Sequence, residues 1–318
     1  MDWADRIGRR IRLRDLHILL AVAECGSMSK AASRLAISHP VVSKTVSDLE
    51  HSLGVRLFDR NSQGVELTAY GSALLNCGQI VFDEMRQGLR QIEFLANPNE
   101  GDLRIGCPEI EIAGIFPSIV EQFKIRCPGA RLQVIHANIS MLQFDELRSR
   151  QVDLLLGRAR PAILEDDLAY ENLFEDSHVV VVGQSSPWRG RGPIELAELI
   201  NEPWVLPSYD SVPGPFIIQF FRANNLEPPR ASISTLSAQL TITLVATGRF
   251  LGFLPEGVVR SSGAQAGLTM LPVQLPRLPI AVDIITMKNR TLSPLAKRFI
   301  DCAREVTKPF VSDRANLA

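Results

Sequence analysis

Apolar residues recur at helical spacing in two short stretches near the N-terminus. Both stripes repeat at intervals of three and four residues, as they do on one face of a helix. The stripes are Met28, Ala31, Ala32 and Leu35, then Val42, Val46, Leu49 and Leu53. Between them, Ala36-Ile37-Ser38 breaks the period. The pattern predicts two short helices joined by a tight turn.

The beginning of the second predicted helix is polar. Ser38 stands where an N-cap belongs, and Pro40 lies in the first turn, where its missing N–H is harmless. His39, Ser43 and Lys44 add hydrogen-bonding groups and a cation at the same end. Such groups suit phosphates and base edges. We interpret the pair as a helix-turn-helix whose second helix reads DNA.

The flanking segments complete a small N-terminal domain. Leu13 to Glu24 predicts a first helix, which Gly26-Ser27 ends. Short apolar runs on both sides of Asn61-Ser62-Gln63-Gly64 predict a β-hairpin, the wing, with Arg60 beside its turn. A basic arm at residues 9–14 precedes the first helix. It fits a solvated arm and a phosphate-contacting arm equally well.

A longer apolar repeat follows from Thr68. Its spacings alternate between four and three residues over about three heptads, which is typical of a helix that pairs with another helix. The members are Leu74, Gly78, Val81, Met85, Gly88, Ile92 and Leu95. Packing on its own chain is the alternative. We favour dimerisation because the flanking positions are polar. Asn97-Pro98-Asn99-Glu100-Gly101 then predicts a hinge.

Beyond the hinge, short apolar strands alternate with helices, among them helices predicted at 140–150, 194–200 and 294–306. This order predicts an α/β fold with a parallel sheet covered on both faces. Around residues 166–169 the chain is predicted to enter a second α/β unit, and residues 268–272 to return it. The predicted domains are a winged helix-turn-helix (1–68), a linker helix (69–96), a hinge (97–101), lobe I (102–167 and 272–306), lobe II (168–271) and a tail (307–318).

Composition limits the class of protein. A chain of 318 residues with 46% hydrophobic residues can build two or three cores. Residues 1–68 hold ten Lys and Arg against eight Asp and Glu, so DNA binding depends on the placement of charges. The five scattered cysteines have no CxxC spacing and indicate a reducing compartment. With no signal sequence or apolar span, we expect a cytoplasmic protein without membrane contact.

The N-terminal motifs resemble those of the LysR-type transcriptional regulators. The matching residues include Ala31-Ala32-x-x-Leu35, Ser38-x-Pro40-x-x-Ser43, Leu49-Glu50, Leu53-Gly54-x-x-Leu57-Phe58-x-Arg60 and Leu67-Thr68-x-x-Gly71. The resemblance implies a winged helix-turn-helix, a dimerising linker helix and a two-lobed, periplasmic-binding-protein-like α/β effector domain. It also implies a homodimer through the linker, commonly assembled into a homotetramer. Residues 12–60 most resemble, in overall sequence, the members of the family that control aromatic-acid or sugar catabolism.

Carried over residue by residue, the resemblance implies a set of DNA-contacting positions. They are Ser38, His39, Pro40, Ser43 and Lys44 on the reading helix, and Arg60 on the wing. His39 departs from the family, in which Gln usually precedes the proline. Gln pairs with adenine through both amide groups, whereas His offers one donor or acceptor per nitrogen. A histidine that simply caps the helix end is the alternative.

The effector cleft is expected outside the carboxyl ends of the parallel strands. The candidate effector-binding residues are Glu109, Ile110, Ser140, Arg158, Ser208, Tyr209 and Ser237. Ser140 and Ser237 begin helices, where free N–H groups favour an anion, although a plain N-cap is the favoured account of each serine. Arg158 would add charge for a carboxylate or phosphate. Glu109 instead fits a hydroxyl-rich or cationic ligand, or is simply solvated.

These features together predict a ligand-responsive, sequence-specific regulator of transcription. Its expected partners are double-stranded DNA, a second copy of the chain and a small-molecule effector, with RNA polymerase as a further candidate. We expect no cofactor and no metal site, and the chain contains no GxSxG or GxxxxGK[ST] motif for catalysis. An enzyme or transport protein built on the two lobes, and an architectural DNA-binding protein with a vestigial effector half, are the alternative classes.

Overall fold

The computed structural model describes residues 11–61, 64–97, 100–136, 144–158, 165–211, 213–273 and 278–315. The chain divides into two compact units, one up to Leu89 and one from Arg90 onward. The fold confirms the predicted class, an N-terminal helix-turn-helix followed by an α/β domain with two sheets.

The N-terminal unit consists of three short helices, a hairpin and most of a long helix. Its elements are α1 (Leu13–Cys25), α2 (Met28–Arg34), α3 (His39–Leu53), β1 (Phe58–Asn61), β2 (Gly64–Leu67) and α4 (Ala69–Ala96). The predicted stripes pack together, with Ala31, Val42 and Val46 at 0% exposure. The helix-turn-helix, the wing and the 28-residue linker helix α4 are therefore all present.

The second unit contains two five-stranded sheets. Its strands are β3 (Gly101–Cys107), β4 (Ala130–His136), β5 (Leu154–Gly157), β6 (Leu168–Asp176), β7 (His178–Gly183), β8 (Trp204–Leu206), β9 (Ile233–Ser234), β10 (Leu251–Pro255), β11 (Leu268–Met270) and β12 (Ile280–Met287). Its helices are α5 (Glu109–Ile112), α6 (Phe116–Arg126), α7 (Asp145–Arg148), α8 (Gly214–Ala223), α9 (Ala238–Ala246), α10 (Glu256–Val258) and α11 (Pro294–Ala315).

The first sheet has the order β4-β3-β5-β12-β6, and it defines lobe I. β3 pairs with β4 and β5 in parallel, whereas β12 is antiparallel to both β5 and β6. The sheet is therefore mixed: the parallel arrangement predicted for its first three strands is confirmed, and β12 adds antiparallel pairs that were not predicted. Because β5 and β6 are both antiparallel to β12, their carboxyl ends lie at the same edge of the sheet, together with that of β3.

Strand β6 also corrects the predicted boundary of lobe II. Residues 168–176 belong to the first sheet, so the chain leaves lobe I after Asp176 and not near residue 167. A register shift between Val282 and Asp283 interrupts the pairing of β6 with β12. Such a bulge breaks the alternation of inward and outward side chains, which is the sequence signal for a strand.

The second sheet has the order β11-β7-β10-β8-β9 and defines lobe II. β8 is parallel to β9 and β10, and β7 is antiparallel to β10 and β11. The predicted return to lobe I at residues 268–272 is wrong, because β11 still pairs with β7 in this sheet. The carboxyl ends of β8, β9 and β10 share an edge with the beginning of β7.

Three predicted helices differ from the structure. The helix expected at 140–150 is described only as α7 (Asp145–Arg148), since residues 137–143 lie outside the described part. The segment 194–200 forms a single 3₁₀ turn, Leu196–Leu199. The last helix continues from 294 to 315, past the predicted end at 306.

Candidate DNA-reading and effector sites

The first turn of α3 presents an exposed polar surface. Ser38 is its N-cap residue, and within the described part of the chain the Ser38 hydroxyl does not cap the helix. His39, Pro40 and Lys44 are exposed, and Ser43 is half-buried. Because the apolar stripe of the helix faces the core, these five predicted side chains share its outward-facing start.

The turn before α3 has an unusual backbone. Ala36 adopts φ +54°, a left-handed conformation that costs a residue with a side chain about 1–2 kcal/mol. It connects α2, which begins at the N-cap Ser27, to the reading helix. The tight turn predicted from the break in the apolar pattern is thereby confirmed.

The wing is held by a carboxylate that the sequence analysis did not select for a role. Glu50 Oε1 on α3 accepts hydrogen bonds from the backbone N–H groups of Leu57 (2.8 Å) and Phe58 (3.2 Å). Phe58 is the first residue of β1, so Glu50 ties the reading helix directly to the wing. The signal available in the sequence was the position of Glu50 beside Leu49 in a motif of the family.

Two glycines allow close approach of the wing to the helices. A Cβ at Gly71, in the first turn of α4, would lie 2.0 Å from the carbonyl oxygen of Leu57. A Cβ at Gly64 would lie 2.4 Å from the carbonyl oxygen of Gly26, to which Val65 N–H donates (3.1 Å). Both glycines are therefore needed for packing. The side chain of Arg60, the predicted wing contact, lies outside the described part.

The apolar seam of α4 has two environments. Leu74 packs against the core of the N-terminal unit, and a Cβ at Gly78 would contact Leu16 and Leu20. Met85, Ile92 and Leu95 are instead 47%, 63% and 75% exposed. The first part of the seam thus packs on its own chain, as the alternative interpretation held, whereas the later part leaves an apolar stripe uncovered.

Three charged side chains meet where the strands of lobe I end. Arg158 follows β5, Glu111 lies on α5 after β3, and Asp176 ends β6. Arg158 Nε donates to Glu111 Oε1 (2.8 Å), and Arg158 Nη2 donates to Asp176 Oδ2 (3.0 Å). The other oxygen of Asp176 accepts from Gly257 N–H in lobe II (3.3 Å). Arg158 is therefore engaged by two carboxylates, of which the sequence analysis selected neither.

Burial shapes the ionisation of this cluster. It raises the pKa of Glu111, which the charge and hydrogen bond of Arg158 only partly oppose. The pKa of Arg158 is raised, because Glu111 and Asp176 outweigh the effect of burial. His178, enclosed beside Phe216 and Phe253, has a pKa well below its usual value through burial and the nearby Arg158. The imidazole is therefore neutral and adds no charge here.

The side chain of Glu109 crosses the cleft and contacts the beginning of helix α9 in lobe II. Its Oε1 accepts from the Ser237 hydroxyl (2.8 Å) and from Gln239 N–H (3.2 Å). Ser237 is the N-cap of α9, and its hydroxyl also accepts from Leu240 N–H (3.3 Å). The N-cap interpretation of Ser237 is confirmed. The position expected for an anionic ligand is occupied by the chain's own carboxylate.

The remaining effector candidates lie in different settings. Ile110 is half-buried and, with the Glu111–Arg158–Asp176 cluster, lines a small cavity. The Tyr209 hydroxyl donates to the carbonyl oxygen of Pro229 within lobe II, and burial raises the pKa of Tyr209. Ser208 is exposed beside it. Ser140 lies outside the described residues.

The structure brings Glu109, Ile110, Arg158 and Ser237 to the facing edges of the two lobes. Asp176 was missed because its strand was not recognised. Glu111 was visible in the sequence only as one of several polar residues in a loop. Alternating carboxylates at 109 and 111 after a buried strand were the available signal.

A winged helix-turn-helix followed by a two-lobed α/β binding domain defines a class of DNA-binding regulators. Residues 13–72 match the bacterial regulatory helix-turn-helix proteins of the lysR family, and residues 96–308 match the LysR substrate binding domain. The chain therefore belongs to the LysR family. It is a DNA-binding transcriptional regulator with a domain for small-molecule effectors, in a family of regulators and not of enzymes.

Individual relatives agree with this assignment. The chain is 30% identical to the uncharacterized HTH-type transcriptional regulator YdcI of Escherichia coli K12 over 98% of this chain and 100% of that protein. Its fold is similar to that of full-length CbnR complexed with its target DNA (TM-score 0.54, 23% identity, 94% and 100% of the two chains). It is also similar to a full-length OxyR variant from Pseudomonas aeruginosa (TM-score 0.63, 24% identity, 92% and 98%). Among the described residues, no helix is long and apolar enough to cross a membrane.

Proposed function

We propose that the exposed start of α3 and the wing contact operator DNA, and that a small molecule bound between the two lobes alters this binding. The observation that carries the first part is the polar surface of Ser38, His39 and Lys44 opposite a fully buried apolar stripe. A helix of this shape has the side chains needed to contact the major groove while its other face stays in the core.

Each proposed DNA contact has a distinct task. Lys44 would neutralise a phosphate, and Arg60 on the wing would contact a phosphate or groove. Ser38, His39 and Ser43 would approach base edges or backbone oxygens beside Pro40. His39 would set the base preference at one position, because each ring nitrogen makes only one hydrogen bond.

The proposed effector site is the cleft between the sheet edges of lobes I and II. Strand ends from both lobes bring Glu109, Ile110, Arg158 and Ser237 there. Ser140, Ser208 and Tyr209 remain candidates from the sequence. A ligand that binds one separation of the lobes better than another would shift the population of that state, and this differential affinity is what couples the ligand to DNA.

We further propose a homodimer through the exposed stripe of α4, with pairing of dimers into a tetramer. Met85, Ile92 and Leu95 follow heptad spacing and remain exposed, which suits a helix partner. A structural relative, CbnR, has been solved in complex with its target DNA. We also propose that the protein binds DNA in the cytoplasm and that RNA polymerase is a further partner.

The DNA-reading assignment is tested by replacing Lys44 with Ala. We expect weaker binding to every duplex and a shallower dependence of affinity on salt, by about one counterion, because one phosphate contact is lost. Fluorescence anisotropy titrations at several salt concentrations measure both quantities. Lys297→Ala removes the same charge from an exposed position on α11 and serves as the control. Unchanged affinity and salt slope in Lys44→Ala would refute the assignment.

A further inference from the structure

The facing edges of the lobes enclose a small cavity. Its volume is about 10 Å³, enough for one water molecule. Lobe I contributes Glu111, Arg158 and Asp176 to the wall, and lobe II contributes Gly257 and Val258. The cavity is therefore shared by the two lobes, and its wall is mostly apolar apart from the three charged side chains. Any ligand larger than water requires the lobes to move apart.

Two charged groups in the cavity wall keep an unused hydrogen-bonding atom. Glu111 Oε2 and Arg158 Nη1 are buried, and neither has a hydrogen-bond partner in the described part of the chain. The Glu111 side chain is only 2% exposed. A buried polar atom without a partner is costly, more so when it is charged. These two atoms can therefore hydrogen-bond to a polar group that enters the cavity.

The two atoms differ in what they need. The carboxylate oxygen of Glu111 accepts a hydrogen bond, and the guanidinium N–H of Arg158 donates one. An ammonium group only donates, and an ionised carboxylate only accepts, so either would leave one atom unpaired. A hydroxyl group does both, so it suits either atom.

The surrounding charge also disfavours an anion. Among the described residues that line the cleft, Glu109, Glu111 and Asp176 place three carboxylates beside the guanidinium of Arg158. The beginning of α9, whose N–H groups would otherwise attract an anion, already holds the carboxylate of Glu109. An acidic ligand would have to displace Glu109 and approach two further carboxylates.

We infer that the cleft binds an uncharged small molecule rich in hydroxyl groups, with one hydroxyl donating to Glu111 Oε2 and accepting from Arg158 Nη1. This ligand class rests on the proposed effector site. Glu109 excludes carboxylates by occupying the start of α9. Glu111 and Arg158 select the hydroxyl.

Calorimetric titration of the full-length protein with three sets of probes tests the inference. The hydroxyl probes are glycerol, erythritol, D-ribose and myo-inositol. Acetate, benzoate and succinate represent carboxylates, and putrescine represents amines. We expect saturable binding within the hydroxyl set and none at equal concentration in the other two. Failure of all four hydroxyl probes, or tighter binding of a carboxylate or amine, overturns the inference.

Variants locate the site. Glu111→Gln removes the negative charge beside Arg158, so we expect hydroxyl-probe affinity to fall at least about tenfold and acetate affinity to rise by a similar factor. Glu171→Gln removes a carboxylate that pairs with Arg304 in the same lobe, and it should change neither affinity. Hydroxyl-probe binding that is equal in Glu111→Gln and the native protein overturns the inference.

Glu109→Gln provides a second test that does not depend on a buried substitution. The amide oxygen can still accept from Ser237 and Gln239, but the negative charge at α9 is lost. Carboxylate affinity should rise at least about fivefold, and no rise contradicts the exclusion argument. DNA titrations of Lys44→Ala test the proposed function separately, so a wrong ligand class leaves that result untouched.

Discussion

At the scale of single residues, buried charge organises lobe I as strongly as its apolar core does. Asp153, only 4% exposed, accepts hydrogen bonds from Arg104 N–H (2.9 Å) and from the guanidinium groups of Arg90, Arg104 and Arg290 (3.1–3.2 Å). Arg90 lies on the last part of α4. A single carboxylate therefore joins the end of the linker helix to the first sheet.

The ionisation of Asp153 makes lobe I sensitive to acid. Burial alone would raise its pKa, but the hydrogen bonds and charge of Arg104, with Arg90, lower it below the usual value. A carboxylate with a lowered folded-state pKa stabilises the fold above its unfolded pKa, near 4, and this contribution disappears as the pH falls through the folded pKa.

We expect Asp153→Asn to destabilise the second unit by about 3 kcal/mol at pH 7, since it removes the buried negative charge that faces three arginines. The loss of stability from about pH 5 downward should also become shallower. Urea unfolding at a series of pH values measures both effects. Glu305→Gln breaks the exposed Arg126–Glu305 pair and should change little. Equal effects of the two substitutions would contradict the role of Asp153.

At the scale of elements, the wing and the linker helix are positioned by backbone contacts. Gly71 lies in the first turn of α4, close to the carbonyl oxygen of Leu57. Its N–H donates to the Thr68 hydroxyl (3.0 Å). Thr68 itself donates to the carbonyl of Arg56 (2.7 Å). The motif Leu67-Thr68-x-x-Gly71 therefore describes one junction between the wing and α4.

We expect Gly71→Ala to destabilise the N-terminal unit by about 1–3 kcal/mol, because the backbone must move to admit the methyl group. DNA affinity should fall with it, since the wing shifts. Ser72→Ala, at the next position of the same helix, is the control. Its side chain is exposed, and alanine favours helix. Thermal unfolding and anisotropy measure the pair; a Gly71→Ala protein as stable as Ser72→Ala would contradict this account.

Elements with uninterrupted periodicity could be predicted from sequence, and interrupted ones could not. The stripes of α2 and α3 and the heptads of α4 repeat without a break, so the winged unit and its linker followed directly. Strand β6 contains a bulge, so it was not predicted as a strand. The boundary of lobe II was therefore predicted too early, and Asp176 was not selected. The antiparallel direction of β12 could not be predicted either, because its partners β5 and β6 lie more than 100 residues earlier in the chain.

The candidate sites show the same limit. The DNA-reading residues are close together in sequence, so one helix pattern was enough to select Ser38, His39 and Lys44. The cleft gathers Glu109, Arg158 and Ser237 from three separate strand ends, which the rule for α/β sheets could indicate. No sequence rule, however, says that Arg158 pairs with Glu111, or that Glu109 caps α9, because both contacts depend on the packed tertiary structure.

At the scale of the whole molecule, two units with different tasks are connected by one helix. The N-terminal unit presents a reading helix, and the second unit presents a cleft between two lobes in which lobe I supplies the charged groups. A pair of chains joined through α4 would present two reading helices, so the preferred DNA should be a repeat of two half-sites. Both the LysR family assignment and the fold lead to this expectation.

The most direct test of a sequence-specific regulator of this kind is selection of duplexes from a random library by the full-length protein, followed by sequencing. We predict one enriched motif with two related half-sites, their centres separated by about 10 base pairs or a multiple of that spacing. Lys44→Ala should fail to enrich this motif. Recovery of unrelated sequences, or the same enrichment with Lys44→Ala, would contradict the account.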